Sequence, residues 1–139
     1  MQIIGFNFKK ISAVRAESIV RPNINITFTE VEKEKVEVLK EDALKVSFKF
    51  VIAYHEEKEE NKADKSEVVF EGNLLIKVPE NEIKKILNDW KKKKLSDEIS
   101  APIFNYILRK CSTKAMLLEE DINLPFHIIV PQVKPGQKE

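Results

Sequence analysis

The chain has 139 residues, of which 42% are hydrophobic and 34% are charged, a balance typical of one folded domain with a buried core. Lysine and arginine together number 24 and aspartate and glutamate 23, so the formal net charge of +1 gives no overall field that would favour nucleic acid. The sequence shows no signal peptide, no apolar stretch long enough to cross a bilayer, and a single cysteine, which excludes an internal disulfide. These features predict a cytoplasmic protein that does not insert into a membrane.

From the N-terminus to Val78 the sequence alternates apolar and polar residues, which is the period of a β-strand. The apolar positions of the first predicted strand shift after Lys10, and this shift predicts a bulge. Pro22 opens the second strand, whose charged continuation over residues 31–40 is predicted to project beyond the core. The third and fourth strands have apolar faces formed by Leu44, Val46, Phe48, Phe50, Ile52 and Tyr54, and by Val68, Phe70, Leu74, Ile76 and Val78.

The fourth predicted strand contains Gly72, where we expect a close approach of another backbone. Residues 55–67 between the third and fourth strands are polar, and the middle of this stretch is predicted to be a solvated hairpin loop. Four successive strands that each have one apolar face predict an antiparallel sheet with one side that needs a cover.

Helical periodicity follows the strands and supplies that cover. Pro79 ends the sheet, and "ENEIKKILNDWKKKK" places acidic residues in the first turn and lysines in the last, as the helix dipole prefers. A second helix is predicted to begin between Ser96 and Ser100, with Pro102 tolerated in its first turn. The predicted fold is therefore α+β, a four-stranded antiparallel sheet covered on one face by a long broken helix.

The second helix is apolar over an unusually large part of its circumference. One face consists of Ile103, Ile107, Cys111, Ala115 and Leu118, and it is widened by Phe104, Tyr106 and Leu108. A helix of this kind needs more than one sheet face to bury it, so oligomerisation through this helix is predicted.

An apolar run, "LPFHIIVPQV", extends from Leu124 to Val133 and is called the terminal run below. In this run Leu124, Phe126, Ile128 and Val130 alternate with Pro125, His127 and Ile129, which predicts an extended segment. Pro125 and Pro131 remove backbone donors and exclude a central strand. We expect an ordered, extended loop packed over apolar surface. Residues 1–133 are predicted to form a single domain, followed by a polar tail at 134–139.

The sequence offers little for catalysis. His55 and His127 lie at no metal-ligand spacing from another histidine, cysteine or aspartate, and three glycines cannot build a phosphate-binding loop. Cys111 and His127 could form a nucleophile pair, but a buried structural cysteine is favoured about tenfold. The carboxylates are interleaved with lysines, as on a solvated surface. We therefore predict no enzymatic activity, no metal site and no cofactor.

The lysines at 91–94 could contact phosphate, but lysines at a helix C-terminus are explained by the helix dipole alone. No aromatic residues are interleaved with them, so nucleic acid is not an expected partner. An RNA-associated module remains a weak alternative.

The order of predicted elements is similar to that of the SecB family of export chaperones. Local stretches that resemble this family are "FKKISA" in the first strand, "ALKVSFKFVIAY" and "VVFEGNLLIKV" in the third and fourth, "APIFNYILRK" in the helix and "LPFHIIVP" in the terminal run. The resemblance covers nearly the whole chain, although the spacing from Tyr106 to Arg109 is one residue longer than the family has. In the family another helix follows the loop, whereas here only "KPGQKE" follows, and this tail is not acidic.

The resemblance implies an ATP-independent holdase, involved in protein transport, that binds unfolded client polypeptides. It implies a dimer of dimers in which first strands pair and long helices pack together, with an interface at Phe6, Phe8, Ile103, Tyr106, Ile107 and Cys111. Clients would lie in a groove formed by Ile24, Ile26 and Phe28 of the second strand and by Leu124, Phe126, Ile128 and Val130 of the terminal run. The alternative is a non-catalytic structural or adaptor protein whose terminal run is permanently buried between its own subunits.

Overall fold

The computed structural model describes residues 1–38, 41–56 and 65–136. The elements are β1 (Gln2–Val14), β2 (Asn23–Val36), β3 (Glu41–Ala53), β4 (Glu67–Lys77), α1 (Glu80–Lys91) and α2 (Asp97–Asp121). The α+β class with four antiparallel strands is therefore confirmed. The middle of the predicted hairpin loop, residues 57–64, and the last three residues of the predicted tail lie outside the described residues, as do 39 and 40.

The four strands form one sheet in the order β1-β4-β3-β2, and every neighbouring pair is antiparallel. The strands β2, β3 and β4 are adjacent in chain order, whereas β1 returns to pair with β4. The connection from β1 to β2 therefore has to pass from one edge of the sheet to the other. It does so at the end of β3, where the Val20 N–H donates to the Tyr54 carbonyl at 2.7 Å.

The edge strand β1 is irregular, as the shift in its sequence pattern predicts. Its register with β4 shifts between Ile3 and Gly5 and again between Phe8 and Lys10. Gly72 of β4 lies opposite Phe8, and a Cβ at this glycine would overlap the backbone oxygen of Asn7. The expected close approach of another backbone at Gly72 is confirmed.

One face of the sheet carries the core, and both helices cover it. All six predicted residues of the β3 face are fully buried. Ile83 and Ile86 of α1 are also buried. The charged continuation of β2 does not project beyond the core, because it stays paired with β3 through Val36 and buries Val31. That part of the sequence prediction is wrong for the described residues. The charged side chains at the outer positions of this segment form cross-strand ion pairs, such as Lys33–Asp42 at 2.9 Å.

The helix α2 lies over the sheet with its wide apolar surface in contact with several strands. The ring of Phe104 stacks on Phe28 of β2, with centroids 4.5 Å apart, and Tyr106 packs against Phe6 of β1 at 5.7 Å. The broad apolar surface of α2 is thus covered within one chain and does not by itself require a second subunit. Pro102 is the sixth residue of α2, so it lies in the second turn and not in the first.

Candidate functional site

A buried carboxylate fixes the start of the terminal run. Glu119 lies in the last turn of α2 and is fully buried. Its Oε2 accepts hydrogen bonds from the Tyr54 hydroxyl and from the backbone N–H of His127, the latter at 3.1 Å. Its Oε1 lies 2.7 Å from Nδ1 of His127. Three donors, one from Tyr54 and two from His127, therefore converge on one carboxylate. Their hydrogen bonds replace those that the carboxylate would make with water.

Tyr54 follows directly after β3 and provides the donor from the sheet. Burial raises the pKa of Tyr54 well above its usual range, and the hydrogen bond to Glu119 and the negative charge of that carboxylate raise it further. The hydroxyl consequently keeps its proton at all physiological pH values and remains a donor to Glu119.

His127 is the inward-facing residue of the terminal run. Its side chain is fully buried, and its ring meets Phe50 of β3 edge to face, with the centroids 6.5 Å apart. Because Nδ1 faces a carboxylate, we assign the imidazole proton to Nδ1. The other nitrogen, Nε2, is buried and has no hydrogen-bond partner among the described residues, which suits a bare lone pair better than an N–H.

Arg15, in the connection between β1 and β2, also holds the start of the terminal run. Together with Tyr54, Glu119 and His127 it is called the anchor below. Its guanidinium donates to the carbonyl of Ile122 at 3.3 Å and to that of Asn123. A cation here complements the negative end of the α2 dipole, whose own last turn contains no basic residue. The chain then turns at Asn123, which has φ of 55°, and the N–H of Leu124 donates to the Glu119 carbonyl at 2.8 Å. Asparagine tolerates this left-handed conformation better than most residues do.

The terminal run presents apolar side chains to solvent beyond this anchor. Phe126, Ile128 and Val130 are each between 42% and 43% exposed, and Ile129 is 92% exposed. Leu124 is different, because it lies in the core. The run belongs to no strand or helix, and its backbone bends at His127 and Ile128, so the predicted extended conformation is interrupted there. Burial of His127 therefore turns its neighbours outward and leaves a short strip of apolar side chains at the surface.

The predicted groove residues of β2 lie close to this anchor but are not open surface. Ile24, Ile26 and Phe28 are partly buried and pack against the core. Ile26 pairs with Phe50, the residue beneath the His127 ring, so the structure brings the terminal run to the strand next to β2. Phe28 is already stacked on Phe104 of α2. Of the predicted groove, the outward side chains of the terminal run are the exposed part.

The predicted interface residues divide into two groups. Ile103, Ile107 and Cys111 are fully buried against the sheet of their own chain. Their side chains are therefore not exposed to a partner subunit, and their predicted place in the interface is corrected to the core. Phe6, Phe8 and Tyr106 are partly buried in an aromatic cluster, in which the rings of Phe6 and Phe8 are 5.0 Å apart.

The possible nucleophile pair of Cys111 and His127 is not assembled. Burial raises the pKa of Cys111 to about 12, so the thiol stays protonated at neutral pH and is a poor nucleophile. The His127 ring is bonded to Glu119 instead. Among the described residues no group of three histidine, cysteine or carboxylate side chains could hold a metal ion. Neither helix of the described chain combines the length and apolar content needed to cross a membrane.

The sequence analysis did not assign Arg15, Tyr54 or Glu119 to this site. For Glu119 a signal was present, because the buried residues of α2 recur at intervals of four and the series ends at Glu119. Its members are Ile103, Ile107, Cys111, Ala115 and Glu119. A carboxylate on a buried stripe needs donors, but the sequence alone does not say which residues provide them.

Comparison of the chain with family models, with curated proteins and with solved structures gives no match.

Proposed function

We propose that the protein is an ATP-independent holdase that binds unfolded polypeptide through the exposed apolar side chains of the terminal run. The observation that carries the proposal is that the terminal run is held in place by a buried residue while its large apolar side chains stay exposed to solvent. Phe126, Ile128 and Val130 remain at the surface although the residue between the first two, His127, is buried in a hydrogen-bonded cluster. A segment that only had to be buried would not need a polar anchor that directs its large side chains outward.

The contact surface suits many client sequences. Burial of apolar surface contributes roughly 25 cal/mol per Å² and has no directional requirement, so side chains of different shapes bind to the same strip. Pro125 and Pro131 restrict the backbone of the run, which lowers the conformational entropy lost on binding. Binding and release by moderate apolar contact require no nucleotide.

The resemblance to the SecB family supports the same function through the order of elements and the stretches quoted above. A SecB-like arrangement of the helices, a role in protein transport and a cytoplasmic location are parts of this proposal that rest on the resemblance or on composition. The holdase activity does not depend on the dimer of dimers, because the apolar surface of α2 is covered within the chain.

The test is suppression of aggregation of a reduced, unfolded client protein by stoichiometric amounts of this protein. The double variant Phe126→Asp with Ile128→Asp should raise the concentration needed for half suppression by about tenfold or more, since each buried apolar side chain contributes about 1.5–3 kcal/mol. The matched control is Val38→Asp with Asn88→Asp, which adds the same charge at two exposed residues outside the terminal run. It should act like the wild type.

Two results would count against the proposal. Full activity of the Phe126→Asp, Ile128→Asp variant, with an unchanged circular dichroism spectrum, would remove the terminal run from the client site. A wild-type protein that never suppresses aggregation, and whose terminal run is protected from hydrogen exchange in a stable oligomer, would favour the structural or adaptor alternative.

A further inference from the structure

A second surface lies between the edge strand β1 and the helix α2. It is a groove of about 420 Å³ with Phe8 and Leu117 as its apolar residues, and its other lining residues are Arg109, Lys110, Thr113 and Lys114. Leu117 is 61% exposed. Ile11, which is 44% exposed, is the next residue of β1 after Phe8 on the same face of the sheet. Among the described residues the surface therefore combines apolar side chains with three cations and has no acidic lining residue.

The three cations are held along the groove by aromatic rings and not by carboxylates. The guanidinium of Arg109 lies 5.4 Å from the ring centre of Tyr106, and Nζ of Lys114 lies 5.7 Å from that of Phe8. Lys110 also approaches Tyr106, at 5.7 Å. None of the three forms an ion pair with any residue in the described ranges. Their charges are consequently available to a negatively charged partner.

The backbone of β1 provides the second half of the surface. Within the described residues β1 pairs only with β4, so its outer edge has main-chain donors and acceptors without a strand partner. From Lys10 to Val14 the pairing with β4 has no register shift, and this part of the edge is regular enough to receive another strand. Val14 at its end is 51% exposed.

We propose that this groove binds an extended acidic polypeptide segment that also contains apolar residues, by addition of a strand to the edge of β1. The backbone of the segment pairs with Lys10–Val14, its carboxylates face the cations of α2, and its apolar side chains contact Phe8, Ile11 and Leu117. The stretch from Arg109 to Leu117 spans about 12 Å along the helix, which corresponds to about four residues of extended chain. The recognised segment is therefore short.

Charge selects this occupant over a second copy of the chain. Two β1 edges paired about a two-fold axis would bring the cations of both α2 helices, together with Lys9 and Lys10 of both strands, to one interface. Exposed lysines and bulges on an edge strand oppose pairing between identical edges, and β1 has both. The same lysines attract an acidic strand.

A polypeptide also fits better than a nucleic acid. Phosphates would use the cations, but they would leave the regular edge of β1 and the exposed Ile11 without a contact. Among the described residues the groove contains no exposed aromatic platform on which bases would stack, since Phe8 and Tyr106 are partly buried in the aromatic cluster with Phe6.

The experiment uses a fluorescent eight-residue peptide, Glu-Ser-Val-Ser-Glu-Ser-Val-Ser, with binding to the full chain measured by fluorescence anisotropy. Successive side chains of a strand point to opposite faces, so the intervening serines place both glutamate and valine on the face that meets α2. We expect saturable binding that weakens several-fold between about 50 mM and 500 mM salt, because added salt shortens the Debye length and screens the attraction between opposite charges. The variant Lys110→Glu with Lys114→Glu should bind about tenfold or more weakly, because both attractions become repulsions. The matched control is Lys84→Glu with Lys85→Glu, two exposed lysines of α1, which should bind within about twofold of the wild type.

Two further peptides and one competitor separate the parts of the proposal. A peptide with lysine in place of glutamate, and a peptide methylated on every backbone nitrogen, should both fail to bind, since the first reverses the charge and the second removes the N–H donors of both edges and so blocks strand pairing. Equal binding of the methylated peptide would overturn strand addition. Unchanged binding by Lys110→Glu, Lys114→Glu would overturn the groove itself. Complete displacement of the peptide by equimolar single-stranded RNA would favour nucleic acid, and a dimer sealed at β1 that binds no peptide would favour a second copy.

This surface is independent of the proposed holdase site. The variant Phe126→Asp, Ile128→Asp should bind the peptide as the wild type does, so failure of one proposal does not decide the other.

Discussion

Replacement of Glu119 by glutamine tests whether the buried carboxylate anchors the terminal run. The carboxylate accepts hydrogen bonds from the Tyr54 hydroxyl, the His127 N–H and the His127 ring. Glutamine has nearly the same shape but only one oxygen, so its amide nitrogen must face at least one of these donors. Loss of charge from three hydrogen bonds costs about 1 kcal/mol for each.

A partly opposing effect reduces this sum. A buried carboxylate carries a desolvation penalty of several kcal/mol, and the neutral amide does not carry it. A donor left facing the amide adds about 1–3 kcal/mol in the other direction. We expect Glu119→Gln to lower the free energy of unfolding by about 2–3 kcal/mol, against about 1–1.5 kcal/mol for Tyr54→Phe, which removes a single donor.

The assay is urea unfolding with linear extrapolation, combined with hydrogen exchange of the backbone amides from Leu124 to Val130. The His127 amide should lose protection in Glu119→Gln, because the N–H donates directly to the carboxylate. The matched control is Glu120→Gln, an exposed glutamate one residue further along α2, which should change stability by less than about 0.5 kcal/mol. If Glu119→Gln behaves like Glu120→Gln in both measurements, the anchor does not depend on this carboxylate.

Two other predictions concern alkaline pH and the sheet. The pKa values of Tyr54 and Cys111 are both raised by burial, so the unfolded chain loses these protons at lower pH than the folded chain does. Their contribution to stability is therefore complete below about pH 8. As pH rises it is lost by about 1.4 kcal/mol per pH unit, from about pH 9 for Cys111 and from about pH 10 for Tyr54. Tyr54→Phe and Cys111→Ala should each remove one such slope from chemical denaturation curves, and an unchanged slope would contradict the burial argument. Gly72→Ala should destabilise the protein by at least about 2 kcal/mol, because the added methyl group overlaps the Asn7 carbonyl and pushes β1 from β4, whereas Gly5→Ala, which meets only side-chain atoms of Leu75 at 3.5 Å or more, should cost less than half as much in the same unfolding assay.

The sequence alone was enough to locate the regular elements and their apolar faces. Alternation from Leu44 to Tyr54 identifies β3 because successive side chains of a strand point to opposite faces, and every residue of that face is buried. Ile83 and Ile86 are three residues apart, a spacing that places two side chains on one face of a helix, and both are buried in α1. The bulge in β1 and the close contact at Gly72 were also predictable, because each leaves a local mark in the residue pattern.

The sequence pattern does not name the partner of an apolar face. The wide apolar surface of α2 predicts a subunit interface, but Phe104 and Tyr106 contact β2 and β1 of the same chain, so this surface alone does not require a second subunit. Strict alternation placed Leu124 and Phe126 on one face, whereas Leu124 is in the core and Phe126 is exposed. Periodicity describes which side chains share a face and carries no information about what covers it.

What the sequence by itself determined, then, is the set of strands and helices, because strand and helix periods follow from the local geometry of the backbone. Only the tertiary structure decided the anchor of the terminal run, which brings Arg15 and Tyr54 from distant parts of the chain to the stretch that contains Glu119 and His127. The physical reason is that a buried carboxylate is stable only where several donors meet, and that meeting is set by how the sheet, the helix and the connection between β1 and β2 pack together. No local pattern records it.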